Sequence, residues 1–303
     1  MKKLGTYPLS AVLCVGMLLW FGLGWIAYHN VVHRTKVWSI SDTFGGDPIT
    51  IRASDQFSGA IFSLTWRGVE FIDSYDHGRQ LQSAVQFNGR RECYNPTEAG
   101  ANADSGGRWS SSELLSVIAE ANTLRTLTRM AFWLGPGEVS PSCPGGASNA
   151  ASLSDHQLAK TVTVRGNVIT HDVTFHVPRS YERADFEAVT AYLPARFDTF
   201  WSYDPRSDAI TPLEKARGAR DDPVVITTSD GSYAMGVYSI RLPQSAHPTS
   251  GYGWQRFETE QVSKWSCVYR LKHLQPGSYS FRCFIIVGSL DDVTATIRTL
   301  ALL

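Results

Sequence analysis

Polar side chains of several chemical types stand close together early in this chain. Asp76 can accept hydrogen bonds from two hydroxyl groups, Arg79 carries a planar fork of donors, and Gln80 can both donate and accept. A loop bounded by proline and glycine then presents Tyr94 and Asn95. Together these groups are suited to holding a ligand that carries many hydroxyl groups. The alternative is a polar hairpin end followed by a capped turn.

Carboxylate and imidazole groups in the same sequence could transfer protons to such a ligand. Glu98 is the first candidate for the acid or base, because it lies on a loop whose small residues let a substrate approach. Asp76 is its candidate partner, and His77 could act as a base near neutral pH. Glu258 and Glu260 are two residues apart, so in a strand they share one face. The competing interpretation is structural: an exposed turn glutamate, a turn cap and a histidine held by its neighbours.

Aromatic residues make up 12% of the chain, which is enough to fill a large β core or to offer flat surfaces to sugar rings. Trp254 precedes the pair of glutamates, and Trp109 follows a glycine-rich loop. Both are candidate stacking residues for a bound sugar. Core filling is the alternative role for each of them.

Period-2 alternation with glycine-containing turns predicts that most of the chain is β structure. One hairpin runs from Ile61 to Ile72 about an Arg-Gly turn, and a longer one runs from Lys160 to Val177. Helix is expected in two places: weakly around Leu213 to Arg217, and from Leu290 to Leu300 behind a serine cap. Residues 37–303 are therefore predicted to form one large, mainly β domain.

Residues 1–36 are predicted to be a membrane segment. Lys2 and Lys3 precede an apolar run whose centre, from Leu9 to Tyr28, has about the length of a helix that spans a bilayer. The alternative is a cleaved signal peptide, although signal peptides usually have a shorter apolar region. The two lysines favour a cytoplasmic N-terminus, with the β domain on the other side of the membrane.

Cysteine usage favours an oxidising compartment for the β domain. Cys14 lies in the apolar run, and the other four cysteines all follow it. Cys267 and Cys283 lie on two strands that are expected to fold as a hairpin, so they are the first predicted disulfide, and Cys93 with Cys143 is the remaining pair. The predicted location is periplasmic or extracellular, on a membrane anchor or, after signal cleavage, as a secreted protein.

Charge and motif spacing argue against several classes of function. The formal net charge is zero and no basic run exists, so binding to nucleic acid has no electrostatic support. No Cys-x-x-Cys spacing appears, so a zinc site is not expected. We expect neither a metal nor another cofactor.

Two motifs carry a resemblance to a known family. The first is Gly-Ala-Ile-x-Ser-Leu-x-Trp-x-Gly-x-Glu-Phe from Gly59 to Phe71, and the second is Asp-His-Gly-Arg-x-x-Gln from Asp76 to Gln82. This part of the chain resembles the early strands of the galactose mutarotase-like superfamily. The resemblance implies an antiparallel β-supersandwich that acts on or binds carbohydrate. The chain departs from the aldose epimerases in lacking their Asn-His motif ahead of an aromatic residue, so epimerisation is the least favoured activity.

Two classes of function stay open on this basis. The first is a carbohydrate-active enzyme that acts on a poly- or oligosaccharide, as a glycoside hydrolase or a polysaccharide lyase. The second is a non-catalytic module for glycan binding or envelope assembly on the same fold. An enzyme of the first class needs two carboxylates within ~10 Å in one cleft, whereas a binding module needs an aromatic-lined face without such a pair. The expected partners are a carbohydrate and, through the N-terminal segment, a membrane.

Overall fold

Antiparallel strands account for most of the chain. The structure is a computed structural model that describes residues 35–303 apart from 107, 215 and 241–249. Within that part, Lys36–Leu303 form one unit. The predicted membrane segment, residues 1–36, lies almost wholly outside the described residues. Among those that are described, no helix is both long and apolar enough to cross a membrane.

The described residues hold nineteen strands, one α-helix and three short 3-10 turns. The strands are β1 (Val37–Phe44), β2 (Asp47–Ser54), β3 (Ile61–Trp66), β4 (Val69–Glu70), β5 (Gln82–Phe87), β6 (Pro96–Thr97), β7 (Glu113–Glu120), β8 (Thr123–Phe132), β9 (Leu153–Arg165), β10 (Val168–Val177), β11 (Tyr181–Leu193), β12 (Phe197–Asp204), β13 (Ala209–Pro212), β14 (Arg217–Arg220), β15 (Val224–Thr228), β16 (Ala234–Tyr238), β17 (Gly251–Phe257), β18 (Val262–Leu274) and β19 (Gly277–Gly288). The helix is α1 (Leu290–Ala301), and the 3-10 turns are Asp55–Phe57, Arg91–Tyr94 and Asn102–Asp104.

The strands form two sheets. Strands β1 to β4 pair in chain order. The others form one long sheet in the order β13-β12-β15-β16-β19-β10-β9-β8-β6-β5-β11-β18-β17-β14, with β7 paired to β8. All the described pairings are antiparallel. The prediction of a mainly β fold with antiparallel sheets is confirmed.

The long sheet folds over itself, and a disulfide joins its two halves. Cys267 on β18 is bonded to Cys283 on β19, with their Cα atoms 6.8 Å apart. Strand β18 pairs with β11 and β17, whereas β19 pairs with β10 and β16. Six strands separate the two in the sheet order, a distance of roughly 30 Å in a flat sheet. Two layers of the sheet must therefore face each other at this bridge.

Both predicted disulfides are present, but the reason given for one of them is wrong. Strands β18 and β19 do not form a hairpin, so the Cys267–Cys283 bridge spans two layers instead of neighbouring strands. The second bridge, Cys93–Cys143, has a Cα–Cα distance of 5.2 Å. It ties the 3-10 turn Arg91–Tyr94 to the loop that follows β8.

The hairpin of β3 and β4 forms as predicted, with a shorter return strand. Arg67 and Gly68 both have positive φ angles, 50° and 73°, as a two-residue mirror-image turn requires. The carboxylate of Glu70 then closes the hairpin by accepting hydrogen bonds from the Ser63 hydroxyl at 2.6 Å and from the Leu64 amide at 2.9 Å. This hairpin leads directly into the polar loop of residues 73–80.

One core joins the two sheets. It includes Ile49 and Ile51 from the small sheet and Phe186 and Trp265 from the long sheet, all of them buried. A second, smaller core lies under α1, where Ile297 and its neighbours pack on strands β16 and β19. The small sheet and α1 therefore cover different parts of the long sheet.

One of the two predicted helices is confirmed and the other is wrong. Ser289 caps α1: its hydroxyl accepts from the Asp292 amide at 3.2 Å, and Asp292 accepts in return from the Ser289 amide at 3.0 Å. The stretch from Leu213 to Arg217 is not helical where it is described, and Arg217 begins β14 instead. Instead of forming the internal hydrogen bonds of a helix, the backbone from Arg217 onward pairs with β17.

Candidate functional site

A pocket of about 350 Å³ opens on one face of the long sheet, where β5, β6, β11 and β18 lie side by side. Its volume is in the range of pockets that hold small ligands. Strand residues form the floor: Gln82, Ala84, Gln86, Thr97, Glu187, Thr190, Tyr192 and Lys264. The rim is formed by Phe257, the last residue of β17, and by residues of loops and turns: Asp76, Gly78, Arg79, Glu92, Asn95, Asn102, Trp133 and Glu260. We call it the sugar pocket, after the carbohydrate ligand that the sequence predicts.

Strand alternation places the floor residues. On β5 the side chains of Gln82, Ala84 and Gln86 line the sugar pocket, while the intervening Val85 and Phe87 enter the core on the other face. The carboxamide of Gln82 is fixed by neighbouring backbone, since it donates to the Gly78 carbonyl at 3.0 Å. The floor is thus held in place by both the sheet and the loop above it.

A β-bulge on β11 brings a carboxylate into the pocket. The register of β11 shifts against both of its neighbours between Glu187 and Thr190. Residues three apart on a regular strand would face opposite sides, but the extra residue lets Glu187, Thr190 and Tyr192 line one pocket. The bulge therefore determines which side chains the strand presents at this point.

Glu187 is paired with Lys264 at the bottom of the pocket. The Lys264 ammonium lies 2.9 Å from a carboxylate oxygen of Glu187. It also lies 5.1 Å from the ring centre of Tyr192. Burial opposes the charge of Lys264, but Glu187 and Tyr192 outweigh this effect, so the pKa of Lys264 lies above its ordinary value. Burial raises the pKa of the Tyr192 hydroxyl, and this hydroxyl therefore remains a proton donor at neutral pH.

Arg79 organises the rim. Its guanidinium contacts a Glu260 oxygen at 2.5 Å, an Asp76 oxygen at 3.2 Å and an Asp73 oxygen at 3.7 Å. Its central carbon also lies 5.3 Å from the ring centre of Tyr75. Glu260 comes from the turn between β17 and β18, which is distant in sequence, so Arg79 joins two separate loops over the pocket.

Gly78 lets an aromatic wall approach the same loop. A Cβ atom at Gly78 would lie 2.7 Å from the ring of Trp133, which is too close for any side chain. Trp133 is half-buried and lines the pocket. Phe257 and Tyr192 supply two more rings, with centres 6.0 Å apart and planes 26° from parallel. The pocket therefore has flat apolar surfaces beside its charged groups.

The structure brings four of the residues singled out from the sequence into the sugar pocket: Asp76, Arg79, Asn95 and Glu260. The carbonyl oxygen of the Asn95 side chain is buried and has no hydrogen-bond partner within the described residues. A ligand hydroxyl could supply that partner. Glu258 does not line the pocket and instead faces solvent, 3.2 Å from Arg256.

Glu98 lies in the interior, away from the pocket. Both its side chain and that of Lys160 are 0% exposed, and the two form an ion pair. The other carboxylate oxygen of Glu98 accepts from the Ser83 amide at 3.0 Å, and Lys160 donates to the Gly59 carbonyl at 2.9 Å. With its oxygens held in this way, the position of Glu98 favours a structural role, and Glu98 does not line the pocket.

His77 and Gln80 are also buried beside the pocket. The two ring nitrogens of His77 lie 2.8 Å from the Ala99 carbonyl and 2.7 Å from the Arg108 carbonyl. The carboxamide of Gln80 donates to the Asp76 carbonyl at 2.6 Å. Both side chains hold the loops that present Asp76 and Arg79, and neither lines the pocket itself.

The three remaining aromatic candidates lie elsewhere. Tyr94 is buried in the core and borders a different pocket. Trp254 is buried in the core, where its ring packs closely on Gly218. Trp109 is 42% exposed but does not line the sugar pocket. Trp133 and Phe257 line the sugar pocket instead.

Sequence reasoning missed Glu187, Lys264 and Tyr192. A signal was available for Lys264, which is the one cation in the largely buried stretch from Val262 to Tyr269. The bulge that turns Glu187 toward the pocket leaves no comparable mark in the sequence. No group of three or more histidine, cysteine or carboxylate side chains suited to a metal occurs in the part of the chain that the structure describes.

Comparison with solved structures finds similarity to galactose mutarotase-like proteins. It is similar to a putative aldose 1-epimerase from Escherichia coli K12, with a TM-score of 0.46 and 9% identity over 85% of this chain and 100% of that one. It is also similar to a galactose mutarotase-related enzyme from Lactobacillus acidophilus, with a TM-score of 0.47 and 9% identity over 85% and 99% of the two chains.

A larger enzyme is among the similar structures as well. A heparan sulfate lyase from Pedobacter heparinus matches with a TM-score of 0.44 and 7% identity, over 84% of this chain and 35% of that one. No family model matches the sequence, and no curated protein matches it. The first two of these structures carry names from the superfamily that the sequence motifs resemble.

Proposed function

We propose that this protein is a carbohydrate-active enzyme, and specifically a glycoside hydrolase that cleaves a neutral poly- or oligosaccharide in the sugar pocket. The observation that carries the proposal is the composition of that pocket, which combines four carboxylates, an arginine fork and three aromatic rings. Carboxylates supply the acid and base of glycosidic cleavage, and rings supply stacking surfaces for sugars.

The spacing of two carboxylates supports this chemistry. Asp76 and Glu260 contact the same guanidinium group, that of Arg79, so their carboxylates lie within roughly 10 Å of each other, as pairs that cleave glycosides do. We propose that one of them takes part in the proton transfer at the leaving oxygen. Glu187 on the floor offers a carboxylate as base or nucleophile, and Lys264 holds it in one orientation.

The charge of the pocket favours a neutral substrate. Its lining carries Asp76, Glu92, Glu187 and Glu260 against only Arg79 and Lys264. A net negative pocket repels a uronate carboxylate, and polysaccharide lyases act on uronates. Hydrolysis of a neutral glycan is therefore favoured over lysis at this site.

Replacing Glu187 by Gln is expected to lower turnover by a factor on the order of 10² or more, because an amide cannot take up a proton or attack the anomeric carbon. A panel of neutral oligosaccharides, assayed for new reducing ends, measures the effect. The matched control is Glu182→Gln, since Glu182 lies on the same strand with its side chain 85% exposed. Thermal melting separates loss of activity from loss of fold, and an unchanged rate in folded Glu187→Gln would remove Glu187 from the mechanism.

A non-catalytic glycan-binding module is the second candidate. The observation in its favour is that Asp76, Glu187 and Glu260 are each paired with a cation. A carboxylate held in this way can orient a bound sugar without transferring a proton. Binding of a neutral glycan without new reducing ends, abolished by Arg79→Gln, would establish this candidate over the hydrolase.

We also propose that the β domain lies outside the cytoplasm, with residues 1–36 as a membrane anchor or a cleaved signal. The two disulfides of the described chain support this location, since such bridges persist in oxidising compartments. Mass spectrometry of non-reduced peptides from the native protein is expected to find Cys93 linked to Cys143 and Cys267 linked to Cys283. Free thiols at these four positions would contradict the proposed location.

A further inference from the structure

A second pocket, of about 450 Å³, lies at the opposite side of the segment that carries Tyr94 and Asn95. Asn95 lines the sugar pocket, whereas Tyr94 lines the second one. The segment between the two pockets is anchored by the Cys93–Cys143 disulfide. The second pocket is bordered by Asn88, Arg90, Tyr94, Phe132, residues 148–151, residues 153–155 and residues 179–181.

Arg179 is held in this pocket by two tyrosines. Its guanidinium donates to the Tyr181 hydroxyl at 3.0 Å and to the Tyr94 hydroxyl. The second terminal nitrogen has no partner, and the guanidinium has no carboxylate partner, among the residues that the structure describes. Arginine forks that are fixed in this way recognise carboxylate and sulfate oxygens.

Arg90 adds a second positive charge without a carboxylate partner in the described chain. It is exposed and donates to the Ser148 hydroxyl at 2.9 Å. The one carboxylate on the pocket wall, Asp155, is already paired with Arg129 at 2.9 Å. The second pocket therefore carries uncompensated positive charge, in contrast to the negative sugar pocket.

Polar groups suited to sugar hydroxyls line the same pocket. Asn149 is 6% exposed, and the carbonyl oxygen of its side chain is buried without a partner in the described structure. One ring nitrogen of the neighbouring His156 lies 2.9 Å from the Tyr181 hydroxyl. The other ring nitrogen is buried and has no partner among the described residues. An acceptor such as Asn149 cannot bind a bare anion but can bind a hydroxyl.

We propose that the second pocket binds an acidic sugar residue through its carboxylate or sulfate group. Arg179 and Arg90 receive the anionic group, and Asn149 with the serines around it receives the hydroxyls. This proposal is independent of hydrolysis in the sugar pocket, because it concerns different residues and the opposite charge. A protein with both sites could hold a glycan that contains neutral and acidic units.

The test is equilibrium binding of D-glucuronate to the full-length protein by titration calorimetry, with D-glucose and inorganic sulfate as separate probes. Glucuronate is expected to bind more tightly than either probe, and its binding is expected to weaken as salt is raised. Arg179→Gln is expected to weaken it about tenfold or more, and Arg179→Lys less, because lysine keeps the charge but loses the fork.

Two further variants keep the test decisive. Arg90→Gln, at an exposed position that does not threaten the fold, is expected to weaken glucuronate binding by a smaller factor. Arg125→Gln is the control, since Arg125 is exposed and already paired with Glu120 at 3.7 Å, and it should leave binding unchanged. Glucuronate binding that survives both Arg179→Gln and Arg90→Gln, or that is lost on Lys264→Gln in the sugar pocket, would overturn the proposal. Equal binding of sulfate and glucuronate would overturn its sugar component.

Discussion

Replacing Glu98 by Gln is expected to lower the free energy of unfolding by about 3–5 kcal/mol, the range found when one partner of a buried ion pair is removed. Glu98 and Lys160 are both fully buried, so the change leaves an ammonium group in the interior with no opposite charge at contact distance. The Gly59 carbonyl, at 2.9 Å from the ammonium, is a neutral acceptor and does not replace the lost charge. Urea unfolding at neutral pH measures the loss.

A double variant distinguishes the ion pair from simple loss of packing. Glu98→Gln combined with Lys160→Met removes both charges, and it is expected to recover most of the stability lost in the single variant. Glu113→Gln on β7, at an exposed position, is the control and should change the free energy of unfolding by less than about 0.5 kcal/mol. A loss below about 1 kcal/mol in Glu98→Gln would show that the pair does not exist as described.

The single variant Glu98→Gln also distinguishes a role of Glu98 in folding from a role in catalysis. If Glu98 is structural, the turnover of each folded Glu98→Gln molecule stays near that of the wild type, while Glu187→Gln loses turnover without losing stability to the same degree. This comparison tests the two glutamates against each other in one assay.

Strands with strict alternation could be predicted from the sequence, because the face on which a side chain lies follows from its position along the strand. The buried residues of β9 fall on one parity, Leu158, Val162 and Val164 among them. Lys160 has the same parity, so the pattern already placed a charged side chain on the apolar face. Its partner Glu98 could not be found in this way, because the two residues lie 62 positions apart.

Features that depend on pairing between distant strands could not be predicted. The Cys267–Cys283 bridge was expected across a hairpin, yet it connects two layers that the folded sheet brings together. Glu187 enters the sugar pocket because of a bulge, and a bulge is set by two neighbouring strands and not by one sequence. The rim was more accessible to prediction, since Asp76 and Arg79 belong to a short local motif with its own turn.

Lowering the pH from 7 to 4 is expected to destabilise the protein by roughly 3 kcal/mol for each of two buried histidines. Burial, with a contribution from Arg179, lowers the pKa of His156 to about 4, against the opposing effect of Asp155. Burial and the nearby Lys160 lower the pKa of His171 to about 3. Both histidines are therefore neutral in the folded protein under conditions where the unfolded chain takes up protons.

The sign of the effect follows from these values. A histidine whose folded pKa is lowered stabilises the fold above its ordinary pKa of 6.5, and this stability is lost as the pH falls toward the folded value. The loss should thus begin near pH 6.5 and continue to about pH 4 for His156 and about pH 3 for His171. Urea unfolding at a series of pH values measures the slope.

His171→Leu gives the sharpest test of this dependence. Neither ring nitrogen of His171 has a hydrogen-bond partner within the described residues, so leucine removes the titrating group without breaking a hydrogen bond. Stability at pH 7.5 is expected to be kept or raised, while the slope between pH 6 and pH 4 falls by up to about 1.4 kcal/mol per pH unit, the contribution of one proton. His273→Gln is the control, because His273 is 78% exposed and its ion-pair partner Glu182 is exposed as well. If His171→Leu keeps the full wild-type slope, His171 is protonated in the folded protein and the acid sensitivity must come from other groups.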